Sequence, residues 1–226
     1  TRKVLERAVM RVDAKAEGLA VAVGGWAPHY DSHGVIDTTR SRWFSISLDR
    51  VSAPWAFVKG LPARTISALE LLASLVGLVL LAPAEIDALG ASGRVAITGS
   101  TDSQVSSAVV TRGMTTAYPL CAVAMEMAAQ LEQRGAELNL EWVPRGSNAE
   151  ADRLADGRFD GFSPELRVHA DLASVRWLVL PALLESGEKF YAAMRGKTKQ
   201  PAGHHGQRAT GGVRQKRLKL KARDPW

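Results

Sequence analysis

The spacing of apolar residues in this chain of 226 residues changes after Pro62, and that change limits the folds it can adopt. Up to Leu48, apolar residues alternate with polar ones in short runs, which is typical of β-strands. After Pro62 they recur every three or four residues, which is typical of a helix. We therefore predict a meander of three strands, over Val9–Val12, Leu19–Trp26 and Trp43–Leu48. A helix should follow, with Thr65 as its N-cap and Pro83 beyond its end.

The next hundred residues alternate between short strands and helices. We predict strands over Arg94–Thr98 and Glu137–Val143, helices over Ser103–Arg112 and Tyr118–Gln133, and a last short helix from the N-cap Asn148 through Leu154. Three hairpin strands followed by this alternation predict an α/β fold. Its sheet should be mixed and five-stranded, with three antiparallel and two parallel strands and with helices on both faces.

Composition and charge divide the chain into three parts. With 46% apolar and 23% charged residues, the chain has enough apolar material for one substantial core, so it is not wholly disordered. We predict one domain over 1–157 and a helical extension over 158–195, with a helix from Ala170 to Leu184. Residues 196–226 lack an apolar period and should form a basic, disordered tail.

Two further features bear on the compartment of the protein. The apolar run Leu69–Ala84 contains Glu70 and is shorter than the roughly 18–20 residues of a membrane span, so we predict a buried helix and no membrane partner. The single cysteine, Cys121, excludes an internal disulfide framework and favours an intracellular location, cytoplasmic or nuclear. We expect no signal peptide, because the first residues lack a basic start followed by an apolar core.

Four carboxylates lie where a solvated surface does not explain them. Asp13 ends an apolar strand, Glu70 lies in the most apolar helix, Asp102 follows a strand, and Asp152 begins the last short helix. If the first and fourth strands are neighbours, Asp13 and Asp102 lie side by side with Glu70 above them. Any one of these acids alone is equally well a cap or turn residue, so the prediction of a site rests on the set.

Converging carboxylates without basic partners repel one another and favour divalent cations. Oxygen ligands are those preferred by Mg²⁺ and Mn²⁺. Two such ions can clamp an in-line phosphoryl displacement, in which one activates a water and the other stabilises the leaving oxygen. The set therefore predicts phosphodiester chemistry.

Four segments of the sequence also match a family pattern, in the family's order. They read RVDA from Arg11 to Ala14 with Gly18 after it, ALELLA from Ala68 to Ala73, TDSQ from Thr101 to Gln104, and VPRGSNAEADRL from Val143 to Leu154. In these segments the chain resembles the ribonuclease H domain of retroelement (retrotransposon-type) reverse transcriptases, within the ribonuclease H-like superfamily. The resemblance covers about residues 8–157, and the Asn-x-x-Ala-Asp-x-Leu ending is its most specific part.

The resemblance implies a metal-dependent endonuclease that hydrolyses the RNA strand of RNA·DNA hybrids with two Mg²⁺ or Mn²⁺ ions. It implies that Asp13 bridges both ions and that Glu70 and Asp102 complete the site of the leaving 3′ oxygen. Asp152 would help to hold the ion that activates water. Gln104 resembles a position that touches the RNA minor groove in some members, where the 2′-hydroxyl distinguishes RNA from DNA.

The sequence departs from the family pattern in three respects. Val143–Ala151 contains no histidine, which many cellular members place in a mobile loop there. The commoner Asp-Asn pair after the fourth strand is Asp102-Ser103 here. No polymerase motif is present, so the polymerase domain of such a reverse transcriptase would lie upstream of Thr1 on a longer chain or would be lost.

Other readings of the sequence stay open. One is a catalytically degenerate ribonuclease H-like module that only binds nucleic acid or has a structural role. Another is an integrase- or resolvase-like DNA nuclease on the same fold. We interpret the tryptophans as core residues rather than stacking platforms: Trp26, Trp43, Trp55, Trp142 and Trp177.

The basic tail carries its own prediction. From Arg195 to Trp226 the net charge is +9, against −3 for the residues before it. We expect Lys216, Arg217, Lys219 and Lys221 to bind a nucleic-acid backbone or to form part of a nuclear localisation signal, or else to be a solvated terminus.

Overall fold

The computed structural model describes residues 9–82 and 95–197, and in them five strands form one sheet. The strands are β1 (Val9–Glu17), β2 (Ala20–Ala27), β3 (Arg42–Leu48), β4 (Val95–Thr101) and β5 (Ala136–Trp142). Their order in the sheet is β3-β2-β1-β4-β5. The hairpin strands β1, β2 and β3 are antiparallel, whereas β4 and β5 run parallel to β1. The predicted mixed sheet of three antiparallel and two parallel strands is confirmed.

Five helices accompany the sheet within the described ranges. They are α1 (Ile66–Leu81), α2 (Gln104–Arg112), α3 (Leu120–Gln133), α4 (Ala149–Ala155) and α5 (Leu180–Lys197). The start and end of α2 follow from its sequence: the Ser103 hydroxyl caps its N-terminus, and Gly113 closes it with a positive φ of 71°.

Helices cover both faces of the sheet, as predicted. On one face, a Cβ atom on Gly77 of α1 would lie 2.9 Å from Met10 Sδ and Val12 Cγ1 of β1. On the other face, a Cβ atom on Gly24 of β2 would lie 2.5 Å from the backbone nitrogen of Ala155 in α4. Glycine at these two positions therefore permits the close approach of a helix to the sheet.

The apolar helix α1 lies in the core, between the sheet and α3. The segment Pro62–Leu81 has the length and composition of a membrane span, but two thirds of it is buried inside the protein. Leu69, Leu71 and Leu75 are fully buried. Because the sheet covers one side of α1 and α3 covers the other, apolar residues on all sides of the helix are buried. This agrees with the prediction of a core helix.

The first strand is longer than predicted, and this moves Asp13. We expected a turn over residues 13–18, but β1 continues to Glu17 and pairs with β2 from Arg11↔Trp26 to Glu17↔Ala20. The charged residues of the expected turn alternate with Ala14 and Ala16. This alternation is typical of a β-strand with one face toward solvent. Asp13 therefore lies within β1, opposite Gly24, and the expectation that it ends the strand was wrong.

The predicted helix over Ala170–Leu184 was also wrong, because α5 begins only at Leu180. Three consecutive backbone N–H groups, of Leu178, Val179 and Leu180, donate to the buried carboxylate of Glu126 in α3 at 2.7–3.1 Å. Pro181 then stands in the first turn, where a missing N–H costs nothing. The partner that fixes this helix start is thus more than fifty residues away in the chain.

The segment after α4 packs beside that helix, against β2 and β3. The N–H of Val168 donates to the Trp43 carbonyl at 2.7 Å, alongside the edge strand β3. Phe162 meets the ring of Trp26 edge-on, with a centroid distance of 5.5 Å. These contacts join residues 158–180 to the core of the sheet. Residues 198–226, including Lys216, Arg217, Lys219 and Lys221, lie outside the described residues, as do residues 83–94 with Pro83 and Arg94.

Candidate active site

The register of the two central strands brings Asp13 beside Asp102. In the parallel pairing of β1 with β4, Val9 is opposite Thr98 and Arg11 is opposite Ser100. Continuing this register by two residues sets Asp13 level with Asp102, which directly follows the end of β4 at Thr101. The two carboxyl groups are close enough for Asp102 to raise the pKa of Asp13 by repulsion. The predicted juxtaposition of these two acids is therefore present.

Asp13 is in an environment that disfavours its charge. Its side chain is buried, with 7% of the residue exposed. Burial raises the pKa of Asp13 to about 8, and repulsion from Asp102 and from Asp152 acts in the same direction. The backbone N–H of Ala14 opposes this shift. A nearby cation would reverse the effect.

Glu70 reaches the same region from α1. Burial raises the pKa of Glu70, the hydroxyl of Ser103 lowers it by donating a hydrogen bond to Oε2, and repulsion from Asp102 raises it again. Ser103 is itself buried and serves as the N-cap of α2. A single hydroxyl therefore joins the carboxylate of Glu70 to the start of the helix that follows Asp102.

Asp152 is near the other acids but is engaged with arginines. It raises the pKa of Asp13 by repulsion, which places it within electrostatic reach of that residue. Its Oδ1 accepts a hydrogen bond from Arg145 at 2.5 Å, and Arg158 lies 3.8 Å from Oδ2. Asp152 thus does not share a hydrogen bond with Asp13, Glu70 or Asp102 in the part of the chain that is described.

Two long-range hydrogen bonds hold the segment before α4 against β1. The Asn148 amide donates to the Val12 carbonyl at 2.9 Å, and Arg11 Nη1 donates to the Ser147 carbonyl at 3.1 Å. Asn148 occupies the N-cap position as predicted, but its side chain makes no capping bond: Nδ2 donates to β1, and the buried Oδ1 has no hydrogen-bond partner within the described residues. This arrangement fixes the start of α4, and hence Asp152, next to the strand that carries Asp13.

The remaining predictions concern Gln104 and the tryptophans. Gln104 is exposed at the first position of α2, two residues beyond Asp102. Trp26, Trp43 and Trp55 are buried as predicted, with 1%, 1% and 5% exposure. The core prediction for Trp142 was wrong, since this residue is 46% exposed at the end of β5.

The donor set fits a divalent cation in its chemistry. Within residues 9–82 and 95–197, no ion pair involves Asp13, Glu70 or Asp102. Acidic oxygens in mutual repulsion are the ligands that Mg²⁺ and Mn²⁺ prefer. Arg145 lies within electrostatic reach of Asp13 and Asp102, but it is hydrogen-bonded to Asp152. As placed, however, no three His, Cys, Asp or Glu side chains of the described ranges stand close enough together to hold one ion. The side chain of Asp152 would have to leave Arg145 to join the others.

Sequence reasoning missed four residues at this site: Ser103, Trp142, Arg145 and Asn148 as an anchor. Of these, only Ser103 gave a local signal, since serine before a helix predicts a capping hydroxyl. The contacts of the others depend on the packing of β5 and α4 against β1 and β4.

Comparisons with known proteins give distant structural similarity. No family model matches the chain, and no curated protein matches it. Ribonuclease H1 from Halobacterium salinarum NRC-1 is 20% identical, with a TM-score of 0.43, over 68% of this chain and 98% of that one. LC11-RNase H1 from a compost metagenome is 16% identical, with a TM-score of 0.45, over 69% and 97%. The N-terminal RNase H domain of a Mycobacterium tuberculosis protein is 16% identical, with a TM-score of 0.35, over 79% and 96%.

Proposed function

We propose that this chain is a metal-dependent endonuclease that hydrolyses the RNA strand of RNA·DNA hybrids. The observation that carries the proposal is the repulsion between the carboxyl groups of the buried Asp13 and the half-buried Asp102, neither of which forms an ion pair in the described residues. Glu70 and Asp152 lie within electrostatic reach of this pair. The four acids occupy the positions of the family motifs that the sequence resembles.

The residues that would hold two Mg²⁺ or Mn²⁺ ions are Asp13, Glu70, Asp102 and Asp152. When bound, such ions activate the attacking water and stabilise the leaving oxygen of a phosphodiester. The protein's own residues prepare the site for this role. Ser103 orients Glu70, and Asn148 fixes the start of α4. Arg145 neutralises Asp152 as long as that carboxylate does not bind a metal ion.

Recognition of RNA over DNA would rest on the minor groove. The exposed amide of Gln104 both donates and accepts hydrogen bonds, so it can pair with a 2′-hydroxyl, which DNA lacks. We further propose that the chain is part of a retroelement reverse transcriptase, because it resembles the ribonuclease H domains of such enzymes. A polymerase domain would then lie upstream on a longer chain.

The test is cleavage of a labelled RNA·DNA hybrid in Mg²⁺ or Mn²⁺, with Asp13→Asn as the blank. We expect cutting of the RNA strand that requires metal and is absent in the blank. Duplex DNA and duplex RNA of the same sequence serve as controls for specificity. Cutting of duplex DNA instead would assign the DNA-nuclease alternative, and cutting by the blank would indicate a contaminant.

One observation favours a second candidate, a nucleic-acid-binding module without catalysis. Arg145 holds Asp152 at 2.5 Å, and no three acids of the described ranges converge at metal-binding distance. A degenerate site would keep this arrangement when metal is added. Binding of the hybrid without cutting, at any concentration of either metal, would support this candidate over the enzyme.

A further inference from the structure

Trp142 is exposed where other tryptophans of the sheet are buried. Trp26 and Trp43, on β2 and β3, are each 1% exposed, whereas Trp142 is 46% exposed at the last position of β5. A ring of this size left in water forgoes the free energy that burial would supply. Its position, next to the end of β4, places it beside the candidate active site.

The indole ring is fixed rather than free to rotate. Its Nε1–H donates to the backbone carbonyl of Asp102 at 3.0 Å. Trp142 is also paired with Thr101 in the β4–β5 register, and the N–H of Val143 donates to the Thr101 carbonyl at 2.9 Å. Because the polar edge of the indole is satisfied, the part that remains exposed is apolar ring surface.

The surroundings indicate which ligand this surface suits. Arg145 lies three residues further along the chain. Its side chain is 78% exposed, so its guanidinium can bind a phosphate. The carbonyl that Trp142 contacts belongs to one of the two acids of the site. A nucleotide in a strand combines an anionic phosphate with a flat base or an apolar sugar face next to it. A nucleic-acid strand therefore suits the exposed ring of Trp142 and the nearby guanidinium of Arg145.

We propose that Trp142 is a positioning residue for the substrate strand, whose sugar or base packs on the exposed ring next to the bond that is cut. The inference rests on the proposed function. Stacking on an aromatic face is tolerant of sequence because every nucleotide offers such a surface. The contact therefore sets the position of the strand, while Asp13 and Asp102 act on the phosphodiester.

The experiment measures hybrid binding without cleavage. In the Asp13→Asn background, a fluorescently labelled RNA·DNA hybrid is titrated in EDTA and in Mg²⁺, and Kd is read from anisotropy. We expect Trp142→Ala to weaken binding about tenfold, in the range of stacking losses, and Trp142→Phe to weaken it about threefold at most. Phe190→Ala, which removes another exposed aromatic ring on α5, should leave Kd unchanged.

Two readouts distinguish a Trp142 ring that stacks on the substrate strand from a Trp142 side chain that only holds Asp102 in place. Trp142→Phe keeps a ring but loses the N–H that contacts the Asp102 carbonyl. Equal losses of binding in the Phe and Ala variants would assign the effect to the hydrogen bond and overturn the proposal. With Asp13 restored, Trp142→Ala should raise KM for the hybrid and leave kcat within about twofold, and thermal unfolding reports whether each variant is folded.

The outcomes also separate this inference from the proposed function. Hybrid binding that depends on the Trp142 ring, without any cutting by the parent protein, supports the platform and rejects the nuclease. Metal-dependent cutting with Kd and KM unchanged in Trp142→Ala rejects the platform and supports the nuclease. Failure of the parent to bind the hybrid at all overturns both.

Discussion

The carboxyl group of Asp13 faces repulsion from that of Asp102 across the end of the β1–β4 pairing. Burial and repulsion from Asp102 raise the pKa of Asp13 to about 8, so the ionised form of this carboxyl is disfavoured in the absence of a cation. The folded chain thus keeps two acids together at a cost, which is typical of functional sites rather than of supports for a core.

Asp102→Asn should abolish cleavage and leave folding intact. The substitution removes one charge from a repelling pair and keeps a hydrogen-bonding group of the same shape. We expect the Tm in EDTA to stay equal or to rise, by about 2–4 °C for each kcal/mol of repulsion relieved in a chain of this size. The control is Asp160→Asn, since Asp160 has a side chain that is 90% exposed. Cleavage by the Asp102 variant would remove this residue from the proposed mechanism.

Ser103→Ala should lower both stability and activity, because one hydroxyl serves two partners. It donates to Glu70 and accepts the N–H of Ser106 at 3.1 Å, which caps α2. Loss of the cap costs about 1 kcal/mol in the free energy of unfolding, measured with urea. Cleavage should fall further than this stability loss explains, since Glu70 loses its only described hydroxyl partner. Ser103→Thr keeps the hydroxyl and should recover both properties. An Ala variant with full activity would show that Glu70 needs no such support.

Much of the fold could be predicted from local sequence because its signals are local. The alternation in β2 and β3, the apolar period of α1 and the cap pair Ser103 and Gly113 each lie within a few residues of the element that they define. The start of α5 was not predictable in this way. It depends on Glu126, a buried acid of α3 whose apolar helical surroundings give no sign of three backbone donors arriving from a later segment.

The same distinction applies to the site. The proximity of Asp13 and Asp102 followed from the neighbourhood of β1 and β4, which the order of elements predicts. The pairing of Asp152 with Arg145 did not follow, because it depends on the short 3₁₀ turn Arg145–Asn148 that directs Arg145 toward α4. Trp142 was assigned to the core by its residue type, yet the end of its strand is left uncovered.

Asn148→Ala should destabilise the protein and weaken the site together. The side chain is fully buried, and its amide donates to the Val12 carbonyl at 2.9 Å, one residue before Asp13. Removal of this buried donor should cost about 1–3 kcal/mol, measured by urea unfolding. Asn139→Ala, at an exposed position of β5, is the matched control and should cost less than about 0.5 kcal/mol. Equal effects of the two substitutions would contradict the anchoring role of Asn148.

Glu126→Gln should destabilise the protein at neutral pH, and the difference should shrink in acid. Burial raises the pKa of Glu126, but the N–H groups of residues 178–180 and the Gln130 amide outweigh burial and lower it below the usual value of 4.5. A carboxylate whose pKa is lowered in the folded state stabilises the fold at a pH above the unfolded pKa. This contribution is lost as the pH falls through the folded pKa.

Hydrogen bonds to a charged group are worth about 1.5–3 kcal/mol. Urea unfolding at pH 7 should therefore show a deficit of about this size for the variant, and at pH 3 a smaller one. Glu185→Gln, which breaks an exposed pair with Lys189, should leave the free energy of unfolding nearly unchanged at either pH. A deficit for Glu126→Gln that is the same at pH 7 and pH 3 would show that its charge does not hold the start of α5.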